Sequence, residues 1–138
     1  MQGGSALYST AMISTVFVFL GAGIGGALRH GINTVSPRWF GMGFPYGTIT
    51  VNIIGSALMG LVAGWFAFRA GEGVPQDLRL FLATGILGGF TTFSAFSLDA
   101  VLLWERGETM LAVTYVIGSV VLSLAALVGG LAVMRSMS

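Results

Sequence analysis

The sequence contains no cysteine and no lysine, and it carries little charge of either sign. Without cysteine the chain has no disulfide framework, no thiolate nucleophile and no thiolate metal site. The single histidine, His30, cannot form a metal site alone. Only 8% of the 138 residues are charged, against about 25% in soluble domains. This composition argues against a soluble globular protein. The net charge of +1 also leaves no basic patch for nucleic acid, so we expect no nucleic-acid partner.

Hydrophobic residues make up 55% of the chain and fall into uncharged runs. A bilayer core about 30 Å thick takes roughly 20 apolar helical residues. Four runs of about that length cover residues 11–28, 46–68, 80–98 and 110–134, and every charged residue lies outside them. Residues 29–45 are predicted to connect the first two runs, with a turn signal at Ser36-Pro37. We therefore predict an all-α membrane protein with four transmembrane helices, forming one transmembrane domain over residues 1–138 with both termini on one side. Residues 1–10 hold no basic side chain, so we expect the first run to be a mature helix, not a signal peptide.

Arginine counts normally indicate orientation, because the cytoplasmic side of a membrane protein collects basic residues. Here the counts are equal. Three arginines lie on the side of the termini and three on the opposite side, namely Arg69, Arg79 and Arg135 against Arg29, Arg38 and Arg106. Two interpretations follow. Either another feature fixes one orientation, or the chain inserts both ways and assembles as an antiparallel homodimer.

Small and polar residues recur every four positions in the second run. They are Thr48, Asn52, Ser56, Gly60 and Gly64, which share one slowly drifting helix face. Such a face contacts protein and not lipid. It is either a small-residue packing seam with Asn52 as an interhelical hydrogen-bonding group, or a pore surface where the Asn52 amide donates to an anion.

The fourth run carries a second polar stripe, formed by Tyr115, Ser119 and Ser123, again four residues apart. Hydroxyl groups aligned along one helix face can bind a partly dehydrated ion in succession as it moves. In the alternative interpretation each hydroxyl only bonds the carbonyl one turn back.

The third run contains poor helix-forming residues at its centre. Gly88-Gly89 is followed by the β-branched pair Thr91-Thr92, and we predict that the helix breaks there. A break frees backbone carbonyls that could hold a small cation and amides that favour an anion. The alternative is a glycine kink that only permits close packing.

Two phenylalanines and two charged residues complete the candidate set. Phe93 and Phe96 lie on one side of the second half-helix, where they either pack or present positive ring edges to a small anion. Asp99 and Arg29 lie near the ends of their runs, where each is an interfacial anchor or part of an ion path.

Three stretches carry a resemblance that covers nearly the whole chain. They are GAGIGGALR (21–29), GTITVNIIG (47–55) and GGFTTFSAFS (88–97). With these stretches the sequence resembles the Fluc family of fluoride ion channels, also called CrcB proteins. The resemblance implies a multi-pass protein of the inner (plasma) membrane that lets fluoride leave the cytoplasm passively. It also implies an antiparallel, dual-topology homodimer with two narrow pores and a broken third helix.

The resemblance also implies roles for individual residues. Fluoride would pass a path lined by Asn52, Phe93, Phe96, Tyr115, Ser119 and Ser123. Backbone carbonyls of Gly88 and Thr91 from both subunits would hold a structural sodium ion at the dimer centre. Arg29 matches the family's basic residue after the first span, and Arg29, Thr48 and Asp99 are expected at a pore mouth or in a structural role. The family has Glu where this chain has Asp99, and Leu where it has Phe90.

Other functions stay open on the residues alone. A small four-helix exporter has the same size and dual insertion, but it needs a carboxylate inside the membrane, and the first span has none. A non-transporting assembly subunit would use the glycine seams but leaves the polar stripes without a role. We expect no enzyme activity, because no nucleophile with a base and no paired carboxylates can be assembled from the spans.

Overall fold

The protein is described here from a computed structural model, which covers residues 3–71 and 73–138. Regular secondary structure in these ranges is entirely helical. The elements are α1 (Gly3–Phe40), α2 (Tyr46–Phe68), α3 (Gln76–Arg79), a π-helical segment (Leu80–Leu87), α4 (Gly88–Phe90), α5 (Phe93–Glu105) and α6 (Thr109–Ser136). Four spans are long and apolar enough to cross a membrane: Leu7–Phe40, Tyr46–Phe68, Gln76–Glu105 and Thr109–Ser136. This confirms the predicted four transmembrane helices of an all-α membrane protein.

Helix α1 continues far beyond the first uncharged run. We predicted that residues 29–45 connect two spans with a turn at Ser36-Pro37, and this is wrong because α1 ends only at Phe40. The physical reason is that Arg29 does not need the membrane surface. Its guanidinium donates to the Thr91 carbonyl inside the protein at 3.2 Å, and Ser36 is buried. A paired charge does not end a membrane helix.

Helix α5 also passes its first charged residue and reaches Glu105. It ends in a Schellman motif at Gly107, whose φ of +79° suits glycine. The Gly107 N–H donates to the Trp104 carbonyl at 2.9 Å, and the Glu108 N–H donates to the Leu103 carbonyl at 3.0 Å. The tight ending turns the chain directly into α6, so that α5 and α6 pack against each other.

Glycines allow two close helix contacts. A Cβ on Gly21 of α1 would lie 2.6 Å from the Phe81 carbonyl oxygen of the π-helical segment. On the other side of the bundle, a Cβ on Gly130 of α6 would lie 2.5 Å from the Ala57 carbonyl oxygen of α2. No side chain larger than hydrogen is compatible with these distances. Membrane helices approach most closely at such small residues, because dispersion attraction and not hydrophobicity holds them together.

Arginines at the terminus side hold three helix ends together. The Arg79 guanidinium lies over the Phe66 ring at 5.0 Å, and the Arg135 guanidinium lies over the Phe68 ring at 5.2 Å. Both rings belong to the last turn of α2, so α3 and α6 are each tied to α2 by a cation–π contact. These contacts link the last turn of α2, the helix that carries Asn52, to both α3 and α6.

Candidate ion pathway

A cleft of about 290 Å³ lies between α2, the interruption after Phe90, α5 and α6. It contains five of the six residues that the sequence assigns to the fluoride path: Asn52, Phe93, Phe96, Ser119 and Ser123. Other residues that line it are Gly55, Ser56, Met59, Thr91, Thr92, Val120 and Leu127. Two polar stripes from different helices thus face one space. The four-residue periodicity that sequence analysis detected in each helix is the reason they meet.

Two of the serines of α6, Ser119 and Ser123, have buried but unpaired hydroxyls. The Oγ atoms of Ser119 and Ser123 have no hydrogen-bond partner within the ranges that the structure describes. The back-bonding interpretation therefore does not apply to either serine, although Thr15 of α1 does bond its own helix in that way, at 2.8 Å. A buried hydroxyl without a partner loses the free energy of a hydrogen bond. Both hydroxyls are free to donate into the cleft.

The two phenylalanines differ sharply in exposure. Phe96 is 9% exposed, whereas Phe93 is 78% exposed on the surface of the protomer. Their ring centroids lie 5.5 Å apart with an angle of 44° between the planes. Phe96 thus forms the wall of the cleft, and Phe93 stands at its open side.

Tyr115 does not line this cleft, but its ring contacts the ring of Phe96, which does. The two ring centroids are 5.4 Å apart, and the fully buried Tyr115 donates its hydroxyl proton to Asp99 Oδ2 at 3.3 Å. Asp99 and Thr48 both line a second cavity, of about 460 Å³, between α2, α5 and the end of α1. Two of the three residues predicted at a pore mouth or in a structural role, Thr48 and Asp99, therefore lie together. Arg29 lies elsewhere, at the interruption.

The interruption consists of Thr91 and Thr92, whose backbones are extended. Thr91 has ψ of 159°, and Thr92 has φ of −154° and ψ of 118°. Asn52 bonds the backbone of Thr92 with both ends of its amide. Asn52 Oδ1 accepts from the Thr92 N–H at 2.8 Å, and Nδ2 donates to the Thr92 carbonyl at 3.0 Å.

Thr91 is satisfied from two other directions. Its N–H donates to the Leu87 carbonyl at 3.0 Å, and its carbonyl accepts from Arg29 at 3.2 Å. Every backbone polar group of both threonines therefore has a protein partner, which extended backbone inside a bilayer requires. The Thr92 Oγ1 also accepts from the Ala95 N–H at 3.1 Å and so caps α5.

Comparison with known proteins agrees with this architecture. Residues 16–131 match the family described as CrcB-like protein, Camphor Resistance (CrcB). The chain belongs to this CrcB-like family. A Rhodopseudomonas palustris protein named fluoride-specific ion channel FluC is 58% identical over 123 residues, which cover 89% of this chain and 98% of the relative. Relatives with the same name are 57% identical over 124 residues in Methylobacterium nodulans and 53% identical over 126 residues in Granulibacter bethesdensis. They cover 90% and 91% of this chain, and 98% of each relative is covered.

Sequence analysis of this CrcB-like chain missed two features of the site. The first is Thr92 as the N-cap of α5, although a threonine just before a helical run is a known signal for that position. The second is the polar lining of the second cavity by Asn33 and Ser36, which the predicted connection over residues 29–45 concealed. The Oδ1 atom of Asn33 is buried, and the described residues offer it no hydrogen bond.

Proposed function

We propose that this chain is a passive, fluoride-selective ion channel, and not an enzyme. Its relatives are named fluoride-specific ion channels at 52% to 58% identity over most of the chain. The observation that carries the proposal is the pair of buried, unpartnered hydroxyls of Ser119 and Ser123, in one cleft with Asn52 and Phe96. Fluoride is a small anion that accepts hydrogen bonds. Donor groups without a protein partner are what a partly dehydrated anion needs.

The path follows from these contacts. Ser119 and Ser123 donate to fluoride, and Asn52 offers the second N–H of an amide whose first N–H is bound to Thr92. The positive edges of Phe93 and Phe96 coordinate the ion weakly enough for it to leave. Tyr115 continues the path from Phe96 towards the cavity that holds Asp99 and Thr48, which forms a pore mouth. Arg29 supplies positive charge beside the interruption.

The channel is an antiparallel dual-topology homodimer with a broken third helix in each subunit. Two observations support a second copy. The cleft opens on the surface of the protomer, and Phe93 is 78% exposed there, at the centre of its membrane span. A narrow path requires that this side be covered by protein, because lipid would leave the hydroxyls of Ser119 and Ser123 beside hydrocarbon.

A sodium ion at the dimer centre would be held by backbone carbonyls of Gly88 and Thr91. The residues suit a hard cation, which prefers oxygen ligands. In an uninterrupted helix the Thr92 N–H would bond the Gly88 carbonyl, but here it donates to Asn52, so the Gly88 carbonyl loses that partner. The Thr91 carbonyl accepts one bond, from Arg29, and keeps a second lone pair. Such an ion would supply a structural link between the subunits.

A proton-coupled exporter is the second candidate, and Asp99 is the observation that favours it. Asp99 lies inside the span of α5 and accepts from the buried Tyr115 hydroxyl. An exporter of this kind would move its substrate in exchange for protons, so its flux would follow the pH gradient. A fluoride channel would depend only on the electrochemical gradient of fluoride.

Efflux from proteoliposomes distinguishes these functions. Vesicles would be loaded with fluoride or, in parallel, chloride, the membrane potential would be shorted, and release would be read with ion-selective electrodes. We expect rapid fluoride release, retained chloride and no dependence on an imposed pH gradient. No release of either ion from folded protein would overturn the channel. Release that requires a proton gradient would favour the exporter.

A further inference from the structure

Asn52 uses its side chain in an unusual way for a residue at a pore. Both polar ends of its amide are bound to the backbone of Thr92, at 2.8 Å and 3.0 Å. A neighbouring β-strand would provide the same two hydrogen bonds, one to the N–H and one to the C=O of an extended residue. Here one side chain of α2 provides both. An extended residue inside a membrane otherwise leaves an N–H and a C=O without partners.

This pairing also decides what the Gly88 carbonyl can do. If Thr92 continued the helix of α4, its N–H would close a ring with that carbonyl. Thr91 instead turns to ψ of 159°, and the Thr92 N–H reaches Asn52. The bond to Asn52 thus replaces the bond to Gly88 and leaves a carbonyl oxygen available.

A second helix completes the arrangement. Arg29 of α1 donates to the Thr91 carbonyl at 3.2 Å, so the two extended residues are held from α1 and α2 together. The methyl group of Thr91 and the ring of Phe90 also pack where Gly55 of α2 has no side chain. One turn along α2 from Asn52, this glycine lets the interruption approach the helix that clamps it.

We propose that Asn52 is a positioning residue that holds Thr92 extended and thereby frees the Gly88 carbonyl for a cation. This role is separate from its contact with fluoride. The part of the proposal that concerns the cation rests on the proposed function, whereas the clamp on Thr92 does not. Asn52 then links the two sites, since the same side chain shapes the carbonyl site and lines the anion path.

Amide hydrogen exchange of isotopically labelled protein tests the clamp directly. In the wild type we expect the Thr92 amide and the Asn52 side-chain amide to exchange slowly. In Asn52→Leu, which is similar in size but has no polar atoms, Thr92 should exchange at least about tenfold faster. Asn52→Asp keeps an acceptor for the Thr92 N–H in either protonation state, so protection should return. Ser56→Ala, one turn along the same face of α2, should leave Thr92 unchanged.

Three results would overturn the proposal: rapid exchange of Thr92 in the wild type, full protection in Asn52→Leu, or no difference between the Leu and Asp variants. The wild-type result decides even if Asn52→Leu fails to fold. For the cation, the lifetime of the wild-type dimer should fall when sodium is replaced by N-methylglucamine. This dependence should disappear in Asn52→Leu and persist in Asn52→Asp, and the reverse pattern would contradict the link.

Fluoride efflux separates this inference from the proposed function. We expect Asn52→Asp to conduct fluoride poorly, because it places a carboxylate in the anion path, and yet to protect Thr92. Wild-type protein that protects Thr92 but releases no fluoride would leave the clamp intact and overturn the channel. Wild-type protein that releases fluoride but leaves Thr92 unprotected would overturn the clamp alone.

Discussion

Ser119 and Ser123 provide the sharpest residue-scale prediction, because their hydroxyls form no hydrogen bond with any described residue that a substitution could remove. Ser119→Ala and Ser123→Ala should leave thermal stability unchanged or raise it by up to about 1 kcal/mol, since a buried unsatisfied group is removed. Fluoride efflux should fall by at least about tenfold, because a hydrogen bond to a charged group contributes about 1.5–3 kcal/mol. Both would be measured on the same preparations, by thermal unfolding in detergent and by efflux.

A serine at the end of the same helix serves as the control. The Ser136 hydroxyl bonds the Val133 carbonyl at 2.8 Å outside the cleft, so Ser136→Ala should not change efflux. Wild-type efflux in both Ser119→Ala and Ser123→Ala would remove these two serine hydroxyls from the path.

The two phenylalanines should respond differently to the same substitution. Phe96 is buried against Tyr115, so Phe96→Ile should lower both efflux and stability, the latter by about 1–3 kcal/mol. Phe93 is exposed on the protomer, so Phe93→Ile should lower efflux without a comparable loss of protomer stability. Efflux and unfolding of the two variants, measured side by side, check this. Equal loss of stability would mean that Phe93 is as deeply packed as Phe96.

At the scale of helices, two adjacent glycines of α6 test the close contact with α2. A Cβ at Gly130 would lie 2.5 Å from the Ala57 carbonyl oxygen, whereas a Cβ at Gly129 would meet no atom of the described residues within 4 Å. Gly130→Ala should therefore force the helices apart and lower stability by about 1–3 kcal/mol. Gly129→Ala should be neutral or stabilising by up to about 1 kcal/mol, from helix propensity. Thermal unfolding of both variants decides, and the opposite order would contradict the packing described here.

The transmembrane helices were predictable because the absence of charge over a long run indicates insertion into a membrane. The four uncharged runs located all four spans, but they ended at Arg29 and Asp99, which the fold pairs inside the protein with Thr91 and Tyr115. Such pairing depends on neighbours distant in sequence, so no local pattern reveals it. The π-helical segment Leu80–Leu87 was also not foreseen, because an apolar run looks the same in sequence whether it forms an α-helix or a wider π-helix.

The site was predictable to a similar degree. Four-residue spacing brought Asn52, Ser119 and Ser123 to one cleft, since periodicity fixes which side chains share a helix face. Sequence analysis left two roles open for the Asn52 amide, an interhelical hydrogen-bonding group and an anion ligand. The structure shows the first of them, but the sequence did not identify the partner, which is the backbone of Thr92. These two bonds arise only where α2 crosses the interruption, and that crossing is a property of the tertiary fold.

At the scale of the whole molecule, the structure changes which arginines count towards membrane orientation. Arg29 is bonded inside the bundle to Thr91, which leaves Arg38 and Arg106 on its side of the membrane. Arg69, Arg79 and Arg135 lie on the side of the termini. The difference is a single basic residue, and small changes in basic residues near span ends can reverse the orientation of a membrane protein. A near-equal count of this kind is what insertion in both orientations, as proposed above, requires.

Added arginines should convert this balance into two fixed orientations. Ser136→Arg with Ser138→Arg biases the termini towards the cytoplasm, and Gly43→Arg with Thr109→Arg biases them away from it. An antiparallel dimer needs both orientations, so each double variant alone should lose fluoride efflux from cells, and co-expression should restore it. Because the sequence has no cysteine, Met137→Cys in each background reports orientation by labelling with an impermeant thiol reagent. Wild-type efflux from one variant labelled in a single orientation would contradict the antiparallel dimer, because all its subunits would then be parallel.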